Sequence, residues 1–331
     1  MRVAIGTEEW TPAGIGMFTY CQSALNAARA AGVDAFLFPI PAGKFGTRFG
    51  GLLLPWLRQT FLTCPIDADV IHYTNTDTRR GVDVVTIHDL YGLHDTRFVG
   101  GRVRRATIRG SVRRVRSVIV SNDAVKRELA AWLPKALPKI RVVPIPHQAV
   151  DTQRLEPVFD GLWIGRHASN KRLMDYVRLA QHLPHYRFAV RWTYLTGQTA
   201  RDAELEQAIS QTPNLTQLPV LSDDELNRLY RQSRVMVSTS TMEGWHRPIT
   251  EGYLRGAHVV LPRVEPYLSI FPADVPHWYT RDADGRALEA AFLEAVSDSR
   301  PVRPSPDFVA SMSFATVGQK LRAVYEEAAR R

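Results

Sequence analysis

Four residues in the second half of the chain have the types and spacing to hold a sugar phosphate. Arg166 and Lys171 follow the apolar run Leu162-Trp163-Ile164-Gly165 as G-R-x4-K. A strand-end glycine, a guanidinium and an ammonium placed where the next helix begins can clamp a diphosphate, the first charge by paired N–H donors and the second as a point charge. Glu243 and Glu251 form an E-x7-E pair around Pro248. Proline suits the first position of a helix, where no N–H is needed and φ is already helical. The N–H groups around Ile249 and Thr250 would then make a partial positive pole that can seat an anion. With Glu243 in the loop and Glu251 in the first turn, carboxylates on either side could accept hydrogen bonds from sugar hydroxyls. The plainer alternative makes Glu251 a charge paired with the helix dipole and Glu243 a solvated loop acid.

Groups of this kind must be presented at strand ends, and the apolar patterning supplies the strands. Val3 to Gly6 reads as a first strand, Met17 to Ala31 as a helix, and Ala35 to Phe38 as the next strand, a β-α-β opening for a parallel sheet. Further strands are expected near residues 69–73, 82–88, 117–121 and 140–144, with a helix over 123–133. Asp151 to Val158 reads as a linker. The pattern then restarts with strands near 162–165, 188–191, 215–218, 235–237 and 258–261, and helices over 171–182, 203–210 and 223–232. Gly256 is expected to end the helix that Pro248 begins. The fold class is therefore read as α/β, with two Rossmann-like parallel-sheet domains over 1–150 and 151–312. An amphipathic last helix lies within 313–331, with Val317, Leu321, Val324 and Tyr325 on one side.

In the first half, His88-Asp89 stands at the carboxyl end of a parallel strand, where open α/β sheets hold ligands. Gly14-Ile15-Gly16 is not a dinucleotide fingerprint, because Thr19 takes the place of the third glycine. A glycine pair ahead of a helix still lets the backbone approach a ligand closely. Arg102, Arg105, Arg109 and Arg113 recur at three-four spacing and would form one stripe on a helix. Such a stripe is a solvated face, a dock for anionic lipid headgroups, or a nucleic-acid contact, the last disfavoured because no aromatic residues interleave it.

The chain has 331 residues, 45% hydrophobic and 23% charged, which suits about two globular domains. A net charge of +9 favours a polyanionic partner or surface. No apolar run approaches the roughly 20 residues that span a bilayer. Met1-Arg2 leads straight into a strand, so no signal peptide is expected and the reading is cytoplasmic. Cys21 and Cys64 lack metal-ligand spacing. Asp67-x-Asp69 and Asp282-x-Asp284 read as strand-entry or surface acids, so no metal is expected.

Taken together, these stretches resemble the family 4 glycosyltransferases, retaining enzymes of the GT-B fold. The resemblance runs nearly the whole length. It rests on PAGIG-MFTY, DVIHYTN, VVTIHDLYGLH, VIVSNDAVKRELAAWLP, KIRVVPIP, WIGRHASNKR, the stretch from LSDDELNRLY to GAHVVL, and the final FATVGQKLRAVYEEA. It implies two domains facing a central cleft, with the last helix crossing back to the first. It also implies a donor site of Gly14, Gly16, Gly165, Arg166, Lys171, Glu243, Gly244, Trp245, His246, Arg247, Pro248, Ile249 and Glu251. Arg166 and Lys171 would hold the diphosphate, Glu251 the ribose hydroxyls, and Glu243 with the N–H groups after it the sugar. His88 would lie near the reacting sugar.

The substrate implied is a nucleoside-diphosphate sugar, UDP or GDP favoured, with a glycan or lipid-linked acceptor, no cofactor, and peripheral attachment to the cytoplasmic membrane face. Three departures stand out. Gly244-Trp245-His246-Arg247 replaces the family's small run, adding bulk and positive charge beside the sugar and leaving donor identity open. His258 stands where a small residue or proline is usual, and Ile145-Pro146-His147 replaces the family's Asn-Gly. A nucleotide-sugar epimerase of the same fold and a basic nucleic-acid-binding protein are the alternatives.

Overall fold

The computed structural model describes residues 1–7, 16–39, 64, 66–74, 76, 78, 80–94, 99–148, 153–193 and 199–330. They divide into two compact units, Met1–Gln148 with Ala310–Arg331, and Ala149–Val309. Gly14 and the glycine-rich stretch 41–63 lie outside the described residues.

In the first unit the strands are β1 (Arg2–Thr7), β2 (Asp34–Pro39), β3 (Val70–Tyr73), β4 (Val84–Ile87), β5 (Ser117–Val120) and β6 (Ile140–Val142). All pair in parallel, in the order β2-β1-β3-β4-β5-β6. The short strands VIHY, VVTI and SVIV are buried at every position, which is why they read as continuous rather than alternating runs. The longer helices between them are α1 (Gly16–Ala30), α2 (Val99–Arg114) and α3 (Asp123–Trp132), the last capped by the Asn122 side chain accepting from the Val125 N–H at 3.0 Å.

The second unit holds β7 (Phe159–Arg166), β8 (Phe188–Thr193), β9 (Leu215–Gln217), β10 (Ser233–Val237), β11 (His258–Pro262) and β12 (His277–Tyr279). Their order is β12-β11-β10-β7-β8-β9, again parallel throughout. Its longer helices are α4 (Leu173–His182), α5 (Thr199–Ser210), α6 (Asp223–Arg231), α7 (Arg247–Leu254) and α8 (Arg286–Ser297). Period-two alternation sorts the core onto two faces. Val235 and Val237 pack with Phe188 and Phe292 on one side, while Met236 packs with Tyr253 and Phe271 on the other.

The last helix, α9 (Phe314–Arg330), belongs to the first unit and packs on α1. A Cβ at Gly318 would stand 2.1 Å from the Ala27 carbonyl oxygen, so the two helices meet backbone to backbone there. Polar groups add to the fastening: buried Tyr325 Oη lies 2.9 Å from His72 Nδ1, and half-buried Arg141 forks onto Glu327 at 2.7 and 2.9 Å. His147 donates its N–H to the Met312 carbonyl at 2.8 Å, so the departure at 145–147 is where the chain meets the returning segment.

Each sheet has a place where the strand order reverses, between β1 and β3 in the first and between β7 and β10 in the second. Ligands of open parallel sheets sit beyond the carboxyl ends of the strands at that point.

Candidate functional site

At the reversal point of the second sheet, two loops are sewn together. One follows β7 and the other follows β10. The helix expected over 171–182 is present as α4 but starts at Leu173, after a 3-10 turn, Ser169–Lys171, and Arg172 at φ 47. The turn is held by the neighbouring loop. Thr241 donates its N–H to the Asn170 carbonyl at 2.8 Å, Asn170 Nδ2 donates to the Met242 carbonyl at 3.0 Å, and Thr239 Oγ1 donates to the Lys171 carbonyl at 2.7 Å. Thr239 is fixed in turn by the Trp163 indole N–H at 3.1 Å, and Gly165 lies over that indole.

This stitching brings Lys171 Nζ to 2.5 Å from Glu243 Oε1, with the two side chains only 13% and 7% exposed. Ser240 Oγ donates to the same carboxylate oxygen at 2.6 Å. Burial works to raise the Glu243 carboxyl, but the Lys171 ammonium and the hydrogen bonds from Lys171 and Ser240 outweigh it and hold it below its ordinary value. Glu243 is therefore a buried, ionised acceptor rather than a solvated loop acid. Arg166 stands exposed at the end of β7.

The run after Glu243 is rearranged relative to expectation. Trp245 is buried, its indole N–H directed to Thr250 Oγ1 at 3.3 Å, so its bulk goes into the fold. His246 is buried at φ 65, its Nδ1 2.6 Å from Tyr267 Oη and its Nε2 3.4 Å from the Ile164 carbonyl oxygen. Burial, reinforced by Lys171, pushes its pKa down to about 4, so the ring is neutral near pH 7 and brings no positive charge. Arg247 spends its charge on Glu251, with Nε at 3.2 Å and Nη2 at 3.0 Å from Oε1.

Helix α7 differs in two further respects. Glu251 is its fifth residue, in the second turn and not the first, and its Oε2 accepts from Tyr230 Oη at 2.9 Å. The Ile249 N–H returns to the His246 carbonyl at 3.1 Å, so it is not among the donors of the helix pole. Pro248 sits in the first turn, and Gly256 takes φ 81 just past the helix, as expected of each. Tyr230 and Tyr267, which hold Glu251 and His246, escaped the sequence reading; no motif marks either, although the inward position of Tyr230 on α6 is legible from helical spacing.

In the first unit, His88 follows β4. It is half-buried, and its ring meets Tyr20 edge-on at 4.4 Å. Among the described residues its Nε2 is shut off from solvent with no hydrogen-bond partner. Burial lowers its pKa to about 4, against the opposing pull of Asp89 and the Thr74 backbone. Gly16 opens α1.

On α2, Arg102, Arg109 and Arg113 are exposed, with Arg109 stacked 5.6 Å from the Trp132 ring, whereas Arg105 turns in and donates to the Leu93 carbonyl. Both D-x-D strings do structural work: Asp69 accepts the Arg2 N–H at 2.7 Å and Asp282 the Ala287 N–H at 2.8 Å. No helix among the described residues is long and apolar enough to cross a membrane.

No protein-family model matches this chain, and no curated protein does. Solved structures do. Anabaena HepE, crystallised with UDP and glucose, superposes with a TM-score of 0.70 at 15% identity, covering 98% of each chain. Sucrose-phosphate synthase from Thermosynechococcus elongatus gives 0.71 at 15% identity, over 99% of this chain and 96% of that one. The lipopolysaccharide glycosyltransferase WaaG gives 0.65 at 13%, over 99% and 98%. At such identities the likeness establishes the fold, which is GT-B: α/β, with two Rossmann-like parallel sheets.

Proposed function

We propose that this chain is a retaining glycosyltransferase of the family 4 type. It would move a hexose from a nucleoside-diphosphate sugar, UDP or GDP favoured, to a glycan or lipid-linked acceptor, without a metal. The observation that carries the reading is the Lys171–Glu243 pair at the reversal point of the second sheet, with Arg166 exposed at the neighbouring strand end. The GT-B fold shared with HepE, which was solved with UDP and glucose, supports it.

Breaking a sugar–phosphate bond leaves a diphosphate and an oxocarbenium-like sugar. In this reading Arg166 and Lys171 meet the first charge with preorganised donors, so no ion is required. Lys171 spends one N–H on Glu243 and keeps two for phosphate oxygens. Glu243 stays ionised and accepts from sugar hydroxyls. Glu251, aimed by Tyr230 and Arg247, accepts from the ribose. Neutral His246 and buried Trp245 build the wall behind the sugar. The acceptor hydroxyl enters on the face that the phosphate leaves, and the departing oxygen takes its proton, so no protein base is assigned. His88, just past β4, is assigned a place near the reacting sugar, and Gly14 and Gly16 are assigned to the donor phosphate. Arg102, Arg109 and Arg113 would hold the protein to an anionic cytoplasmic membrane face.

The test is a thermal-shift screen of UDP-, GDP- and ADP-linked sugars on wild type, Arg166→Ala and Glu251→Ala, because a ligand that binds only the folded state raises its apparent stability. One nucleotide class should raise the midpoint in wild type and do so less in both variants. No shift from any class would remove the donor-site assignment. Turnover of the bound donor without any acceptor would favour the epimerase.

A further inference from the structure

At the amino ends of β11 and of the edge strand β12, the opposite strand ends from Lys171 and Glu243, two imidazoles and a carboxylate converge. His258 opens β11 and His277 opens β12. Val260 lies opposite His277 in the parallel register, and His258 is two residues before Val260, so both rings stand on one sheet face. That face is covered by α8, and Asp298 is the residue that ends α8. One ligand atom from each of His258, His277 and Asp298 falls within 4.8 Å of the others.

The remaining contacts orient these groups. His277 is 7% exposed and Asp298 11%, and His277 Nε2 faces Asp298 Oδ2 at 3.7 Å, too far for a hydrogen bond. The other nitrogen, Nδ1, faces Glu294 Oε1 at 3.5 Å. A carboxylate behind one ring nitrogen favours its N–H and leaves the lone pair of the other free, the arrangement by which outer carboxylates orient metal-binding histidines. The Asp298 backbone also hydrogen-bonds the His258 ring. Beside the three residues lies an open cavity of about 460 Å³, lined among others by Tyr253, Arg263, Trp278 and Arg303, which gives an ion a route from solvent.

We propose that His258, His277 and Asp298 form a site for a zinc-class divalent cation that ties the amino ends of β11 and β12 to the end of α8. Two imidazoles and one carboxylate select borderline metals of the zinc group over magnesium or calcium, whose ligands are all oxygen. Tetrahedral ligands at zinc stand about 3.3 Å apart, so the three donors draw in by small side-chain rotations on binding. The fourth position faces the cavity and takes water. One competitor is already present. Arg300 donates its backbone N–H to Asp298 Oδ1 at 2.9 Å and its Nη2 to Oδ2 at 2.6 Å, and the side chain is 82% exposed, so its head can swing into water and yield the carboxylate.

The experiment uses the full chain, free of any affinity tag and stripped by chelation, titrated with zinc chloride and read by calorimetry, bound-metal analysis and thermal shift. Wild type is expected to take up one zinc per chain saturably and to melt several degrees higher with it, while magnesium gives no shift. His277→Gln and Asp298→Asn should each lose the uptake with an unchanged circular-dichroism spectrum. Arg300→Ala should bind zinc several-fold tighter, an outcome that a purely structural role for Asp298 does not produce. Equal zinc uptake by wild type and both ligand variants, or an equal magnesium shift, would overturn the site, as would no uptake by wild type. His258→Gln provides an independent ligand variant should either of the others fail to fold.

Discussion

The two sheets bury polar side chains to different ends. In the first unit the buried set is neutral. His72 on β3 joins Thr86 through Nε2 at 2.7 Å and Tyr325 through Nδ1 at 2.9 Å, and Tyr20 closes on Thr86 at 3.2 Å. Burial, with help from His88, presses the His72 pKa down to about 3, so it carries no charge. In the second unit the buried set contains ions, Lys171 and Glu243, with Ser240, His246 and Tyr267 around them. A satisfied neutral network rigidifies a fold at small desolvation cost, and here it fastens α9. A buried ion pair is weak evidence for stability, because desolvation offsets most of its Coulomb gain. Charge kept at a strand-end reversal, where a ligand could replace part of its environment, has the character of a binding site. The contrast separates a neutral cluster that fastens a helix from a charged one that joins two loops.

The sharpest way to break this contrast is to unpair the ions. Lys171→Ala strands a buried carboxylate and should cost about 3–5 kcal/mol in urea unfolding. Lys171→Met with Glu243→Gln should recover most of that stability while still abolishing the nucleotide-sugar shift. A single variant as stable as wild type would show that the pair is not held in solution. Next in size, Gly318→Ala forces a methyl group toward the Ala27 carbonyl and should cost about 1–3 kcal/mol, with donor binding at the second sheet retained.

Acid sharpens the comparison further. The folded values of His72 (about 3) and His246 (about 4) lie below the ordinary histidine value of 6.5, so the unfolded chain takes up protons that the folded one refuses. Stability is therefore full above about pH 6.5 and falls as pH drops toward those values, by on the order of 1.4 kcal/mol per pH unit for each ring. Melting midpoints from pH 7.5 to 4 should show the slope, and His72→Gln and His246→Gln should each flatten it. The smallest effect is expected on α2. Replacing Arg102, Arg109 and Arg113 by Gln should change stability by no more than about 0.5 kcal/mol. Cosedimentation with anionic vesicles at low salt would fall in that variant if the helix docks there.

Much of the architecture was legible because it follows from local rules. Strands buried on both faces must be apolar throughout, as VIHY, VVTI and SVIV are, and helices between them must show one apolar stripe. Pro248 and Gly256 marked the ends of α7 through backbone preferences that act within one residue. Candidate site residues were legible as types at strand ends, but their pairings were not. Lys171 and Glu243 are 72 positions apart, and nothing in either neighbourhood names the other. Arg247 was expected to add charge beside the sugar, yet it is spent on Glu251 one helical turn later.

By itself, then, the sequence determined the alternation of strands and helices, the helix ends, and which loops carry ionisable groups, since these depend on burial pattern and on the steric preferences of single residues. Only the tertiary structure decided which of those groups are charged, which are paired and which face solvent. Protonation and pairing depend on desolvation and on distances of a few ångströms between groups that only folding brings together.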